Sequence, residues 1–198
     1  MRKDIRGAVV AIVVMTIVLG LVYPLVVTGI GQIAFPNAAD GSTVKVDGKV
    51  VGSKLIGQDF STGRNANRYF QSRPSVTGYA PNATFFNNRG PNQATLAVQQ
   101  RRFVLDYLDR ERPYDPALTA AKVPSDAATT SASGVDPQIS EANARIQARR
   151  VAQVRGLPLT RVRTLIDEHI DGRFAGVLGE PGVNVLELNI ALDAETRR

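Results

Sequence analysis

The sequence predicts an α+β chain. One N-terminal transmembrane helix is followed by a single mixed extracytoplasmic domain with a β-hairpin, several helices and a C-terminal strand. Three observations carry this reading. Residues 7–33 form an almost wholly apolar run. Asp47-Gly48 sits between two alternating β-branched segments. Helical spacing of apolar residues then recurs downstream, before an alternating run at the C-terminal end. The chain accordingly divides into a cytoplasmic tail (1–6), a transmembrane helix (7–33) and an extracytoplasmic, periplasmic domain (34–198).

No charged residue lies between Arg6 and Asp40. About 20 apolar residues suffice to cross a bilayer, and a longer run is accommodated by tilting or kinking. A cleaved signal has an apolar region of about 7–15 residues and a small-x-small cleavage site. This run is longer, and Asn37-Ala38-Ala39 is a poor cleavage site, so the segment reads as a permanent anchor. Arg2, Lys3 and Arg6 precede the span, opposed by Asp4, and the next cation is Lys45. Basic flanks stay on the cytoplasmic side. The N-terminus is therefore expected inside and the bulk outside, in a single-pass protein of the plasma (inner) membrane.

Within the span, Thr16, Gly20, Pro24 and Thr28 recur every four residues, with Tyr23 beside the proline. Small residues allow close backbone approach between membrane helices. Pro24 leaves a carbonyl near position 20 open to a neighbouring helix or a threonine hydroxyl. One reading is a docking face for other membrane helices. The other is chance register, since Gly and Pro are frequent in such helices. The span holds no Asp, Glu, Lys, Arg or His. Ion pathways are marked by such groups, so any transported ion is expected on another subunit.

Composition narrows the partners. The formal charge is +6, of which the tail's three cations and one anion supply +2, leaving +4 for the remainder. Outside the cell this argues against nucleic acid and for anionic headgroups or an acidic protein surface. There is no cysteine, so neither disulfides nor thiol chemistry is available.

Asp47-Gly48 predicts a type I′ hairpin turn, which needs positive φ at both positions. Residues 54–60 are read as extending the strand set. Residues 61–93 are rich in Asn, Gly, Pro and Ser and include Tyr69-Phe70 and Phe85-Phe86. So long an irregular stretch suggests a binding loop, although its aromatics more often anchor such a loop to a core. Residues 93–110 read as a helix with Leu96, Phe103, Val104, Tyr107 and Leu108 on one face, ended by Pro113 and Pro116. Residues 117–134 read as a linker or mobile loop. Ser140 is expected to cap a helix through Arg155, with Gly156 as its stop. Thr160 is a candidate cap for a short helix burying Val162, Leu165 and Ile166. After Pro181-Gly182, alternation of Leu186, Leu188, Ile190 and Leu192 with polar or small residues predicts a half-buried strand.

Chemistry is sparse. His169, the single histidine, has no partners at triad or zinc spacing and reads as structural. No Walker-type loop is present. Ser131-Ala-Ser-Gly134 lacks the lysine of such a loop, though its backbone N–H groups could face an anion. Arginines at 145, 149, 150, 155, 161 and 163 form a basic stretch. It reads first as a solvated helix face, and second as a contact for headgroups or an acidic partner. No catalytic or metal-ligating set is expected.

A chain-long series of motifs resembles one family. It runs from Tyr23-Pro24 through Gly52-Ser-Lys-Leu-Ile-Gly-Gln-Asp-Phe60 and Tyr69-Phe-Gln-Ser-Arg-Pro-Ser75. It continues with Ala132-Ser-Gly-Val-Asp-Pro-Gln-Ile-Ser140, with Gln147, Arg150-Val-Ala152 and Arg155, and with Leu178-Gly-Glu-Pro181 and Val183-Asn-Val-Leu-Glu-Leu-Asn189. These resemble the C subunit of the Kdp-type potassium-transporting P-type ATPase (KdpC). Val135 and Gln138 stand where that family usually has Leu and His. The resemblance implies a non-pore, non-hydrolytic accessory subunit of a high-affinity potassium uptake complex. Its implied partners are a channel-like potassium-binding subunit, a P-type ATP-hydrolysing subunit and a small membrane subunit. It implies a role in assembly and, as a "catalytic chaperone", in raising the ATP affinity of the hydrolysing subunit. ATP and potassium would act at the level of the complex, with no cofactor held firmly by this chain. Ser133, Gly134 and Gln147 are the nucleotide candidates. An extracytoplasmic domain cannot reach cytoplasmic ATP, however, so any effect on affinity would be transmitted as coupling between states. The competing reading is a free-standing membrane-anchored binding protein with a ligand in the Asn-rich loop region.

Overall fold

The computed structural model describes residues 2–80, 82–83 and 89–196. Phe85-Phe86 lies outside the described residues. The chain forms two compact units, Met1–Ser53 and Lys54–Arg198.

The first unit begins with an unbroken helical rod, Arg2–Ala34. It comprises α1 (Arg2–Ile17), a π-helical segment (Val18–Val22) and α2 (Tyr23–Ala34), and none of their residues is buried. The π segment has a local cause. Pro24 has no N–H and its ring crowds the preceding turn. The helix widens there, and the Tyr23 N–H bonds the Val18 carbonyl five residues back. Phe35 leaves the helical region, and Pro36 opens the four-residue α3 (Pro36–Ala39). The hairpin follows as β1 (Thr43–Val46) and β2 (Lys49–Ser53), antiparallel with Val46 opposite Lys49. Asp47 at φ 51° and Gly48 at φ 76° form the turn that their sequence anticipates. Ser53 Oγ closes the base by donating to the Gly41 carbonyl at 2.7 Å.

In the second unit, residues 54–60 do not extend the strand set. They run as turn and loop because Gly57 docks on a neighbouring backbone, its N–H reaching the Val135 carbonyl at 2.7 Å. A Cβ at Gly57 would lie 2.4 Å from the Asp136 carbonyl oxygen, so no larger residue fits without a shift. The next helical elements are a single turn of 3-10 helix (Ala66–Arg68) and α4 (Ala94–Glu111). The stretch expected to be a mobile linker is anchored instead. It holds a short 3-10 turn and α5 (Ser125–Ala128), and Leu118 and Ala127 are buried with Tyr107 and Leu108 of α4. Sparse apolar content misled because two small contacts suffice when the helix beside them supplies the bulk.

After β3 (Gln138–Ile139) comes α6 (Glu141–Arg155), capped as expected. Ser140 Oγ accepts the Asn143 N–H at 3.1 Å, and Gly156 stops the helix at φ 69°. In α7 (Leu159–Glu168), Pro158 rather than Thr160 takes the N-cap position, and Val162, Leu165 and Ile166 are buried. The three-stranded sheet has the order β3-β5-β4, with β4 (Ile170–Asp171) and β5 (Gly182–Asn184). Ile139 and Ile170 both sit opposite Val183.

The C-terminal strand exists but is only β5. From Val185 the chain is helical, as α8 (Val185–Thr196). The alternating leucines are real, yet Val185, Leu188 and Leu192 also recur at helical spacing, and all three are buried. The deciding signal is Asn184, whose Oδ1 accepts the Glu187 N–H at 3.2 Å, three residues on. The main core lies between the sheet and α6, α7 and α8, around Phe70, Ile139, Val151, Ile166, Val183 and Leu188.

Candidate functional site

The polar centre of the second unit is built on α6. Arg150 and Glu111 are 0% and 1% exposed, with Arg150 Nε 3.0 and 3.1 Å from the two carboxylate oxygens. Burial pulls the Arg150 guanidinium below its ordinary pKa, and the Glu111 charge opposes that pull. Its remaining donors reach the carbonyls of Asn67 (2.7 Å) and Tyr69 (2.9 Å) and Gln147 Oε1 (2.9 Å). Arg155 donates to the Arg68 carbonyl at 2.6 Å and to Asp193 of α8 at 2.8 Å, stacking 4.7 Å over the Tyr69 ring.

Two amides complete the pattern. Asn189 of α8 accepts the Phe70 N–H and donates to its carbonyl, both at 2.9 Å. Gln147 does the same to Gln71, at 2.8 and 3.1 Å. Every residue from Asn67 to Gln71 therefore has a backbone group bonded to a side chain of α6 or α8. Buried backbone groups need partners, and here two helices supply them where a sheet ladder would otherwise do so.

A cleft of about 290 Å³ opens beside this centre, lined in part by Asp59, Tyr79, Phe103, Asp106, Tyr107 and Arg110. Burial raises the Tyr79 and Tyr107 phenols well above their ordinary range, each helped by a nearby carboxylate. Tyr107 donates to Asn143 Oδ1 at 2.9 Å, and Tyr79 donates to the Arg73 carbonyl. Partial burial pushes the Asp59 carboxyl up, but hydrogen bonds from Ser61 and Thr62 outweigh it and hold it below 3.8.

The residues expected to form a site are separated. Gln147 lines the cleft, while Ser133 and Gly134 do not. Both donors of Gln147 are engaged, by Gln71 and Asn143, and its oxygen accepts from Gln71 and Arg150. Ser133 is exposed and its hydroxyl accepts the Val135 N–H. Gly134, at φ 74°, donates to Ser131 Oγ at 3.0 Å and accepts from Ser75 Oγ at 2.6 Å. The N–H groups of Gly134 and Val135 are thus spent on the loop's own serines. In the rod, Thr16, Gly20, Tyr23, Pro24 and Thr28 flank or fall within the π segment. An ideal Cβ on Gly20 would sit 3.9 Å from Thr16 Cγ2, so those two positions stack.

The basic stretch divides: Arg163 is exposed, as on a solvated face, while the other five meet acids of this chain. Arg150 and Arg155 are internal, Arg145 bridges Glu141 (2.7 Å) and Asp167 (2.6 Å), Arg149 lies 3.4 Å from Asp115, and Arg161 pairs with Glu195 at 2.5 Å. Apart from Glu141, four residues before Arg145 on α6, these acids are far off in sequence: Asp115 just after α4, Asp167 on α7 and Glu195 on α8. His169 sits at the α7 C-cap with Nδ1 2.7 Å from the Leu165 carbonyl.

Residues 5–194 match the family model described as "KdpC: K+-transporting ATPase, c chain". The chain belongs to the KdpC family. It is 44% identical over 208 residues to the potassium-transporting ATPase KdpC subunit of Rhodopseudomonas palustris (strain BisB5), covering all of both chains. It is 47% identical over 196 residues to that of Sorangium cellulosum (strain So ce56), covering 98% of each. The KdpC subunit of Caulobacter vibrioides (strain NA1000 / CB15N) is 46% identical over 197 residues, covering 98% of this chain and 94% of that one. The motifs that carried the resemblance now have structural jobs: Gln147, Arg150, Arg155 and Asn189 are the side chains that grip residues 67–71.

Proposed function

We propose that this KdpC-family chain is a non-pore, non-hydrolytic accessory subunit of an ATP-driven potassium uptake complex. The observation that carries the reading is the family match across residues 5–194, which takes in both the apolar rod and the outer unit. The rod supports it: one helix long and apolar enough to cross a membrane, with no Asp, Glu, Lys, Arg or His from residue 7 onward. It offers no acidic or basic side chain there for an ion to follow, so the ion path belongs to a channel-like partner. The π-helical segment at Val18–Val22 and the small residues around it suit docking against other membrane helices. The basic residues of the tail support an N-terminus inside and a periplasmic second unit. An increase in ATP affinity of the hydrolysing subunit would then travel as coupling between states of the complex.

Purification of the tagged full chain in mild detergent tests the reading. The expected companions are a channel-like subunit, a P-type ATP-hydrolysing subunit and a small membrane subunit, identified by mass. Purification of the chain alone would overturn it. A reporter fused after the last residue tests the orientation, and KM for ATP with and without this chain tests the coupling. Labelling by a photoreactive ATP analogue tests direct contact at Ser133, Gly134 or Gln147. One observation favours the rival, a solitary anchored binding protein: the cleft draws Ser61 to Tyr79 of its lining from the Asn-rich region. The same purification separates the two.

A further inference from the structure

The middle of the rod holds a backbone group that its own helix leaves without a donor. In a regular helix each carbonyl accepts the N–H four residues on. For Leu19 that donor is Tyr23, whose N–H goes instead to the Val18 carbonyl. At the π-helical spacing the donor is residue 24, and Pro24 has no N–H. Among the described residues, neither spacing therefore supplies the Leu19 carbonyl. The sequence alone puts the open carbonyl near position 20, and the π-helical shift moves it to Leu19.

An unmet carbonyl in hydrocarbon is costly, and four things relieve it: a local 3-10 or π adjustment, a Ser or Thr hydroxyl of the same helix, ordered water, or a neighbouring helix. The first is already in use, since the π segment is what diverts the Tyr23 bond. A Ser or Thr hydroxyl bonds back to the carbonyl three or four residues earlier. Only positions 22 and 23 meet that spacing, and they hold Val22 and Tyr23. The Tyr23 hydroxyl stands at the far end of a rigid ring and cannot fold back onto its own preceding turn. Leu19 lies near the middle of the uncharged run 7–33, so bulk water is about 15 Å away on either side. A neighbouring helix remains. Next to the carbonyl there is room for one: a Cβ built on Gly20 would have only Thr16 Cγ2 within 4 Å, at 3.9 Å. A charged donor is disfavoured by its cost at mid-bilayer.

We infer that the Leu19 carbonyl accepts a hydrogen bond from a neutral side-chain donor, a hydroxyl or an amide, on a membrane helix of another subunit of the potassium-transporting ATPase. This rests on the function proposed above and fixes one point of that docking. The test is solid-state NMR of the full chain in lipid, alone and assembled with unlabelled pump subunits. Labelling Leu carbonyls with 13C and Gly nitrogens with 15N selects Leu-Gly pairs. The sequence has two, Leu19-Gly20 and Leu178-Gly179, so the second serves as a reference outside the rod. A carbonyl carbon moves downfield when its oxygen gains a hydrogen bond. The expected result is a downfield move of the Leu19 signal on assembly, with a through-space contact to a hydroxyl or amide proton of a pump subunit. Pro24→Ala restores an N–H at position 24, which gives Leu19 a donor in its own chain whether the segment stays π-helical or reverts to α. In that variant the signal should stand downfield already and stay there on assembly. A wild-type signal that assembly leaves in place, that is downfield in the chain alone, or that contacts only water, lipid or a second copy would overturn the inference. So would a signal that still moves in Pro24→Ala. Each of these leaves the proposed function standing. If the chain brings no pump subunit with it, the proposed function fails and this inference with it.

Discussion

The Arg2–Ala34 rod and helix α6 invert the usual relation between composition and burial. The rod is nearly all apolar and none of its residues is buried within the chain. Helix α6 carries four arginines in fifteen residues, yet Asn143, Gln147, Arg150 and Arg155 are among its buried positions. The rod is long and apolar enough to suit a lipid environment, so nothing in its own chain needs to cover it. Helix α6 is complementary to a backbone: its long polar side chains replace the sheet ladder that residues 67–71 lack. Burial follows from what surface stands opposite, and hydrophobicity alone does not report that.

The sharpest way to break this contrast is Arg150→Ala. Removing one member of a buried ion pair costs about 3–5 kcal/mol. Here it also strips the Asn67 and Tyr69 carbonyls of their partner. Urea unfolding of the full chain in detergent, followed by circular dichroism, should show that loss. The counterpart Leu19→Ala, at an exposed rod position, should leave the same transition unchanged. Equal effects at the two positions would erase the distinction. A smaller effect is expected for Gly57→Ala, where the new methyl meets the Asp136 backbone. Overpacking of this kind costs about 1–3 kcal/mol, and an unchanged midpoint would show that the loop yields freely.

What the sequence made legible follows the range of the interaction. The hairpin at Asp47-Gly48, the cap at Ser140 and the stop at Gly156 are each decided within a few residues, and all were readable. The C-terminal helix was misread because Val183 to Leu192 satisfies both periodicities, and the local cap at Asn184 breaks the tie. The strand proposed for residues 54–60 failed for a longer-range reason, since Gly57 bonds Val135, 78 positions away. The arginine stretch was legible only in part. Several of its acids lie on other segments, and only the assembled fold brings Glu111 to Arg150. Gln147 was singled out, but nothing local reveals that its four hydrogen-bonding positions face inward.

Ser140→Ala probes how helix α6 is seated. The hydroxyl caps Asn143 and donates to Asp126 Oδ1 at 2.8 Å, while the Ser140 N–H reaches Asp126 Oδ2 at 2.9 Å. Loss of a cap typically costs about 1 kcal/mol, and α5 loses one of its ties to α6 as well. The expected shift is therefore well below that of Arg150→Ala. A value near zero would mean that the backbone bond to Asp126 alone seats the helix.

The smallest effect is expected at the cleft rim, where Asp59 is exposed and solvent screens its interactions. Its carboxyl is held below the ordinary 3.8 by the Ser61 and Thr62 hydrogen bonds. A group with a depressed folded-state pKa stabilises the fold above its unfolded value and loses that contribution as pH falls through the folded one. The wild-type chain should therefore lose slightly more stability than Asp59→Asn between about pH 5 and pH 3, with no growing difference above that window. Urea midpoints of the two chains across that range decide it. Midpoints that stay parallel would mean that the rim hydrogen bonds do not distinguish the carboxylate from an amide. Polar side chains would then matter energetically only where, as in α6, they are buried against backbone.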